Sequence, residues 1–231
     1  LELAAAGEPE GGLVVAEEQT EGRGRRDRSW ASSPSLGIYA SLILRPAIPA
    51  PRAPLLTFMA AIATADALNE IPGLKARIKW PNDVTVSGRK IAGVLGEVRG
   101  SDPEVREMVV GIGVNVHHLE SDFPPELVAR ATSVRLATGR GWDRAALLAR
   151  LLEDFEQGYT RALRDGPGTL LRDWQSLSAL QPGDPVRVLG PAGPAQGAFS
   201  GIDEEGGLRL VVDGGRTLRV PFGEIVETLE P

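Results

Sequence analysis

The chain has 231 residues, of which 42% are apolar and 24% charged, a composition typical of one medium-sized domain or of one domain with a small addition. The net charge of −6 argues against broad attraction to nucleic acid or to an anionic membrane, so any anion site must be local. The sequence has no cysteine, which excludes disulfides, thiolate metal sites and a cysteine nucleophile. Because no apolar run approaches the ~20 residues that span a bilayer, we expect a cytoplasmic protein.

The first part of the sequence alternates strand and helix patterns. Residues 1–7 are typical of the last turns of a helix with a glycine stop, which predicts that further sequence precedes Leu1. A buried apolar strand at residues 13–16 opens into a polar stretch at residues 22–30, here named the arginine loop. The next predicted elements are strands at residues 38–44 and 76–80 and, between them, a helix at 55–68 with Ala, Met and Leu on one side.

Two strands with interior glycines follow at residues 90–98 and 108–116, and glycine inside a strand often marks close approach of the backbone to another group. The adjacent His117 and His118 cannot easily point at one metal ion, so we expect them in a solvated turn. Asp143 is typical of an N-cap, and helical spacing of apolar residues after it predicts a long amphipathic helix. A second helix is expected near residues 168–178.

The character of the sequence changes after Gln181, where helical periodicity disappears. Short strand patterns separated by glycine pairs predict a small all-β barrel of about fifty residues, a size at which a domain can just fold alone. We therefore divide the chain into a first domain at residues 1–180 and a β-barrel domain at residues 181–231. The predicted barrel strands lie at residues 186–189, 196–202, 208–212, 217–220 and 225–229.

The arginine loop, Gly-Arg-Gly-Arg-Arg-Asp-Arg-Ser-Trp, carries four arginines and one aspartate, a local charge of +3 in an acidic protein. Gly22 and Gly24 allow the backbone to approach a ligand, and guanidinium groups bind carboxylate and phosphate oxygens bidentately. Trp30 could cover an apolar ring or an adenine. The alternative is a solvated basic loop that binds nucleic acid; the Gly-x4-Gly-Lys-Ser/Thr pattern of a P-loop is absent.

A second motif, Lys-Trp-Pro-Asn-Asp at residues 79–83, is followed by Lys90. A strand that ends at Pro-Asn-Asp and returns at a lysine predicts a hairpin that presents Asp83 and Lys90 on one edge. Lysine can neutralise charge that develops on carboxylate and phosphate oxygens, and aspartate can orient or deprotonate a nucleophile. A turn aspartate beside a surface lysine is the alternative. A third motif, Gly-Ile-Gly-Val-Asn at residues 111–115, could meet a ribose or triphosphate, but it is weak alone.

In this order the three motifs resemble those of the biotin protein ligase family, and the resemblance covers most of the chain. It rests on residues 14–30, 79–83, 90–93 and 111–115 and on the terminal β pattern. The resemblance implies an α/β (α+β) mixed-sheet catalytic domain of the biotin/lipoate ligase type, followed by a small SH3-like β-barrel. It also implies an enzyme that uses ATP and Mg²⁺ to convert biotin into biotinyl-5′-AMP and then transfers biotin to one lysine of a biotin carboxyl carrier domain.

The resemblance assigns roles to residues at matching positions. Lys90 would be the main catalytic cation of both steps, Asp83 would orient or deprotonate the acceptor lysine, and Arg25 would hold carboxylate or phosphate oxygens during catalysis. No protein ligand for a metal ion is implied. The residues expected to line the biotin and nucleotide site are Gln19, Arg23, Gly24, Arg25, Trp30, Lys90, Gly93 and Asn115.

The sequence departs from the family pattern in two places. The family's loop usually has glycine where Asp27 stands, and an aspartate there is expected to loosen retention of the adenylate. The family's Ser-Thr-Asn segment, which helps to hold the ureido end of biotin, would lie upstream of Leu1, as would any helix-turn-helix repressor domain.

Other functions stay open at this point. A lipoate ligase or octanoyltransferase would share the fold, although the Gly-Arg-Gly-Arg run and the barrel favour biotin. A non-catalytic biotin or adenylate sensor would not need both Asp83 and Lys90. Nucleic-acid binding is disfavoured, because aromatic residues make up only 5% of the chain and are not interleaved with basic ones. A homodimer formed by edge-strand pairing would suit the family, but no residue decides it.

Overall fold

The structure is a computed structural model that describes residues 1–26, 28–100 and 103–228. Asp27, with its expected effect on the loop, lies outside the described residues, as does the predicted strand end at Leu229. The helices are α1 (Glu2–Ala5), α2 (Pro54–Asn69), α3 (Val134–Thr138), α4 (Arg144–Asp165) and α5 (Gly168–Leu177). The strands of the first sheet are β1 (Leu13–Ala16), β2 (Gly37–Leu44), β3 (Ala76–Lys79), β4 (Asp83–Val86), β5 (Arg89–Arg99) and β6 (Glu107–Asn115). The C-terminal sheet consists of β7 (Pro185–Gly190), β8 (Gly193–Ile202), β9 (Leu208–Val212), β10 (Arg216–Val220) and β11 (Glu224–Thr228).

The first sheet is antiparallel, with strand order β1-β2-β6-β5-β4-β3. Helix α2 contacts four of its strands and also contacts α4 and α5. The rings of Phe58 in α2 and Trp174 in α5 stack with centroids 5.4 Å apart. Residues all round α2 are therefore buried, so the expected one-sided apolar stripe is wrong. A helix that is covered on every side is apolar on every side.

Strand β1 forms where the sequence predicted a strand, but the prediction that it is buried is wrong. Leu13, Val14 and Val15 are 40%, 42% and 55% exposed. The strand lies at the edge of the sheet and, among the described residues, pairs only with β2. Apolar composition alone does not distinguish an edge strand from a central one.

The long helix α4 begins where Asp143 caps it, since this carboxylate accepts hydrogen bonds from the amides of Ala145 and Ala146 at 2.8 and 3.0 Å. The N-cap prediction is confirmed. The solvated turn predicted for the histidines is wrong for His118, which is only 1% exposed and stacks on Phe123 with ring centroids 5.2 Å apart. None of the helices in the described ranges combines the length and apolar character that crossing a membrane requires.

The C-terminal sheet is antiparallel with strand order β10-β9-β8-β7-β11, as expected for the SH3-like part of the fold. Within the described ranges, no pairing between the edge strands β10 and β11 closes it into a barrel. Its core is continuous with that of the first sheet. The Trp80 indole donates to the carbonyl of Gly206 at 3.0 Å, and an ideal Cβ on Gly206 would lie 3.2 Å from the Phe58 ring. The boundary between residues 180 and 181 stays a prediction.

Candidate active site

The arginine loop folds back on itself and is fastened at its base. The Gly24 amide donates to the carbonyl of Arg28 at 2.6 Å, and the Trp30 amide donates to the carbonyl of Gly22 at 2.8 Å. An ideal Cβ on Gly22 would overlap the Trp30 carbonyl oxygen, and one on Gly24 would lie 3.0 Å from the Arg28 carbonyl oxygen. Both glycines are therefore required by the close approach of the two sides of the loop.

The indole of Trp30, at the end of the loop, lies on two glycines of neighbouring strands. An ideal Cβ on Gly113 in β6 would lie 2.6 Å from the indole Cε2, and one on Gly93 in β5 would lie 3.0 Å from Cζ3. Lys90 Nζ is 5.1 Å from the indole ring centroid, which is cation–π distance. The indole Nε1 is buried and has no hydrogen-bond partner among the described residues. For Gly93 and Gly113 the predicted close approach is thus confirmed, and the approaching group is an indole; Gly111 has no neighbour nearer than 3.7 Å.

Asp83 and Lys90 face each other across the β4–β5 hairpin. The turn Ser87-Gly88 has φ angles of 51° and 75°, both positive as in a type I′ hairpin turn, and it joins β5 to β4, a strand that the sequence did not predict. The predicted hairpin, in which the strand ending at Pro-Asn-Asp returns directly at Lys90, is therefore wrong: β3 pairs with β4, and β4 pairs with β5. Lys90 Nζ lies 2.6 Å from Asp83 Oδ1, and the two side chains are 35% and 31% exposed. Both charged groups are thus in contact with each other and still accessible to a ligand.

The backbone of Lys90 is fixed by a neighbouring segment. Its amide donates to the carbonyl of Arg130 at 2.7 Å, and its carbonyl accepts from the amide of Thr132 at 2.8 Å. The carbonyl of Thr132 accepts a hydrogen bond at 3.0 Å from Nδ2 of Asn115, whose side chain is buried at the end of β6. Asn115 therefore supports the segment that holds Lys90. Its contact with a nucleotide stays a prediction.

Two arginines of the loop point toward the first sheet. Arg25 Nη1 donates to Asn82 Oδ1 at 3.2 Å, and Asn82 Nδ2 donates in turn to the carbonyl of Val94. Burial, followed by the charge of Arg26, lowers the pKa of Arg25, while Asp83 opposes that shift. The loop is thereby joined to the Lys-Trp-Pro-Asn-Asp motif, with a guanidinium beside the Asp83–Lys90 pair.

Arg23 makes a bidentate ion pair with Glu97 of β5, with Nη1–Oε1 and Nη2–Oε2 distances of 2.9 and 3.0 Å. A planar guanidinium fork binds carboxylate and phosphate oxygens in this geometry. At the base of the loop, Gln19 Oε1 accepts from Ser32 Oγ at 2.8 Å. The Gln19 side chain thus makes a hydrogen bond inside the protein, and its contact with biotin stays a prediction.

Several residues of this region were not predicted from the sequence. Asn82 belongs to the Lys-Trp-Pro-Asn-Asp motif, and its place beside Asp83 could have indicated a role in the site. The others, Glu97, Thr132 and Glu224, have no local signal because each acts on a residue far away in the sequence. Glu224 in β11 accepts from Arg28 of the loop, and the charges of Arg28, Arg26 and Lys79 keep its pKa below the ordinary value although burial alone would raise it.

Similarity to known proteins agrees with this geometry. The chain matches the Biotin/lipoate A/B protein ligase family over residues 2–115 and the Biotin protein ligase C terminal domain over residues 183–226. The biotin–acetyl-CoA-carboxylase ligase of Paracoccus denitrificans is 37% identical to it over 215 residues, which cover 92% of this chain and 88% of that protein. The chain belongs to the biotin protein ligase family. The family resemblance and the fold class inferred from the sequence are confirmed.

Two further relatives of the family bear on the extent of the match. The bifunctional ligase/repressor BirA of Bacillus subtilis is 41% identical over 214 residues, which cover 93% of this chain but only 66% of that protein. The chain thus spans slightly less than two thirds of that relative. The biotin protein ligase from Aquifex aeolicus, solved in complex with biotin and ATP, superposes with a TM-score of 0.83 at 30% sequence identity. The superposition covers 97% of this chain and 91% of that one.

Proposed function

We propose that this chain is an ATP-dependent biotin protein ligase, which forms biotinyl-5′-AMP and transfers biotin to a lysine of a biotin carboxyl carrier domain. The contact of 2.6 Å between Lys90 Nζ and Asp83 Oδ1, beside the indole of Trp30, carries the proposal. It brings a cation, a carboxylate and an aromatic face together below the arginine loop. Membership of the family and the likeness to a relative solved with biotin and ATP support the assignment.

In the first step a carboxylate oxygen of biotin attacks the α-phosphorus of ATP, and the bond to the bridging oxygen of pyrophosphate breaks. Negative charge grows on the phosphate oxygens in the transition state, and preorganised cations stabilise it. Lys90 and Arg25 would serve this role, and Arg23 would exchange Glu97 for a ligand anion. Mg²⁺ would enter with ATP, because this ion is commonly held by substrate phosphates and few carboxylates.

In the second step the amine of the acceptor lysine attacks the carbonyl carbon of the mixed anhydride, and AMP leaves. The amine must lose a proton, which Asp83 would accept. Lys90 stays beside the departing phosphate and compensates its charge. The pair therefore serves both steps, with the cation directed to the phosphate and the carboxylate to the incoming nucleophile.

The partners of the reaction are proposed on the same basis. The acceptor would be the biotin carboxyl carrier domain of a biotin-dependent carboxylase, and two chains could associate through an exposed sheet edge, for which β1 is available. The cytoplasmic location stays a prediction.

The test is biotin- and ATP-dependent labelling of a purified biotin carboxyl carrier domain, together with pyrophosphate release in its absence. We expect both activities. Pyrophosphate release without labelling would restrict the proposal to adenylate formation. Binding of biotin without pyrophosphate release would overturn the proposal in favour of a non-catalytic sensor. Lipoate or octanoate in place of biotin gives the substrate control, with no labelling expected.

A further inference from the structure

The four arginines of the arginine loop are directed to two different parts of the molecule. Arg23 and Arg25 contact residues of the first sheet region, whereas Arg26 and Arg28 contact the C-terminal sheet. Only the first two were expected to meet a ligand. The other two, Arg26 and Arg28, are here named the tip of the loop; the Arg28 carbonyl also accepts the hydrogen bond from the Gly24 amide.

The contact between the tip and the C-terminal sheet is bidentate. Arg28 Nη1 and Nη2 donate to Glu224 Oε1 and Oε2 at 3.1 and 2.8 Å. Arg26 Nη1 lies 3.8 Å from the same carboxylate, and Arg26 Nη2 donates to the carbonyl of Leu189 at 3.2 Å. Glu224 and Leu189 are register partners on β11 and β7, so both acceptors occupy one place on a rigid ladder.

We propose that Glu224 is a positioning residue, which holds the tip of the arginine loop closed through Arg28 and thereby prolongs retention of the adenylate. The inference rests on the proposed function, because it assigns a regulated step to the same site. A mixed anhydride must be shielded from water until the acceptor arrives, and a loop that is fastened at both base and tip shields it better than one fastened at the base alone. The C-terminal sheet thus contributes to catalysis without touching the substrate.

The exposure of the Arg28–Glu224 ion pair sets the size of the effect expected from its loss. The Arg28 and Glu224 side chains are 58% and 35% exposed, and ion pairs of this kind contribute little to global stability. Their effect falls instead on the local equilibrium between the open and the closed loop. We expect loss of the pair to increase loop opening by about two- to five-fold. The effect should decrease in high salt.

The first experiment compares Glu224→Gln with Glu227→Gln. Glu227 lies on the same strand and pairs with Arg187 of β7 at 3.1 Å, so it is a matched exposed ion pair that does not involve the loop. Brief trypsin treatment of the ligand-free proteins, read by mass spectrometry, should show cleavage after residues 23–28 about two- to five-fold faster in Glu224→Gln and unchanged in Glu227→Gln. Equal cleavage in all three proteins would overturn the inference.

The second experiment follows the lifetime of the adenylate after biotin and ATP are removed by rapid gel filtration. Glu224→Gln should shorten the adenylate lifetime by the same factor. The double change Glu224→Arg with Arg28→Glu, which restores an ion pair with exchanged charges, should give a longer lifetime than either of these two changes alone. A lifetime in Glu224→Gln equal to that of the unaltered protein would overturn the inference. A wild-type chain that forms no adenylate would instead overturn the proposed function, and the trypsin result would still judge the loop contact.

Discussion

The indole of Trp30 rests directly on the backbone of Gly113, with no room for a side chain between them. An alanine there would place Cβ 2.6 Å from the indole Cε2, a distance that requires the ring to move. We predict that Gly113→Ala displaces Trp30, lowers adenylate formation and destabilises the fold by roughly 1–3 kcal/mol, as overpacking does. Urea titration measures the free energy of unfolding, and pyrophosphate release measures the activity.

The matched change is Gly111→Ala, two residues earlier on the same strand and face. Its Cβ would have no neighbour nearer than 3.7 Å, which is ordinary contact. We expect its free energy of unfolding to stay within about 0.5 kcal/mol of the unaltered protein. Equal destabilisation by both alanines would show that strand glycine in general, and not the indole contact, is responsible.

Lys90→Ala should reduce adenylate formation by about 10²–10³, the usual effect of removing one positioned charged donor. Lys75→Ala, which changes an exposed lysine outside the site, should leave it unaltered. Asp83→Asn should lower the transfer of biotin from preformed adenylate to the carrier domain more than it lowers pyrophosphate release. Single-turnover measurements separate these steps, and a near-normal rate for Lys90→Ala would contradict the role assigned to it.

Asn115→Ala removes the hydrogen bond to the carbonyl of Thr132 and leaves that buried group unpaired, a change that costs about 1–3 kcal/mol. Because the amide of Thr132 holds the carbonyl of Lys90, we also expect a lower turnover number. Asn115→Asp tests the donor specifically, since a carboxylate cannot replace Nδ2. If Asn115→Asp were as stable and active as the unaltered chain, this support of Lys90 would be excluded.

Burial lowers the pKa of His118 to about 4, below its ordinary value, although Asp122 opposes the shift. The folded state therefore binds fewer protons than the unfolded state, in which the pKa is about 6.5. The contribution of neutral His118 is fully present above that value and is lost as the pH falls toward 4. We predict a loss on the order of 2 kcal/mol between pH 7 and 4.5 that His118→Gln does not show. Parallel urea titrations of the two proteins measure it, and identical pH profiles would contradict it.

The sequence predicted the parts of this structure in which neighbouring residues carry the whole signal. The return of the chain from Asp83 to Lys90 was predicted, and their contact could be expected, although strand β4 between them was not. Asp143 likewise caps the helix that follows it. In both cases turn or cap chemistry and burial pattern point to the same local structure.

Burial and distant contacts could not be obtained in this way. Strand β1 and His118 were each assigned the wrong environment, because the position of an element in the sheet or core decides its exposure and short patterns do not encode that position. Glu224 lies 196 residues from Arg28, and no spacing rule connects them. The division of the arginines into two pairs therefore became visible only in three dimensions.

The turn around Gly206 constrains how this protein could be recombined. Gly206 packs against Phe58, and its carbonyl accepts the hydrogen bond from the Trp80 indole, so the core beside the first sheet includes that turn. A chimera that takes its C-terminal sheet from a relative would need a turn of the same shape in that sheet, with glycine at a φ of 84°. We therefore expect chimeras that combine the two sheets from different relatives to be unstable, unless Phe58, Trp80 and the Gly206 turn come from the same protein.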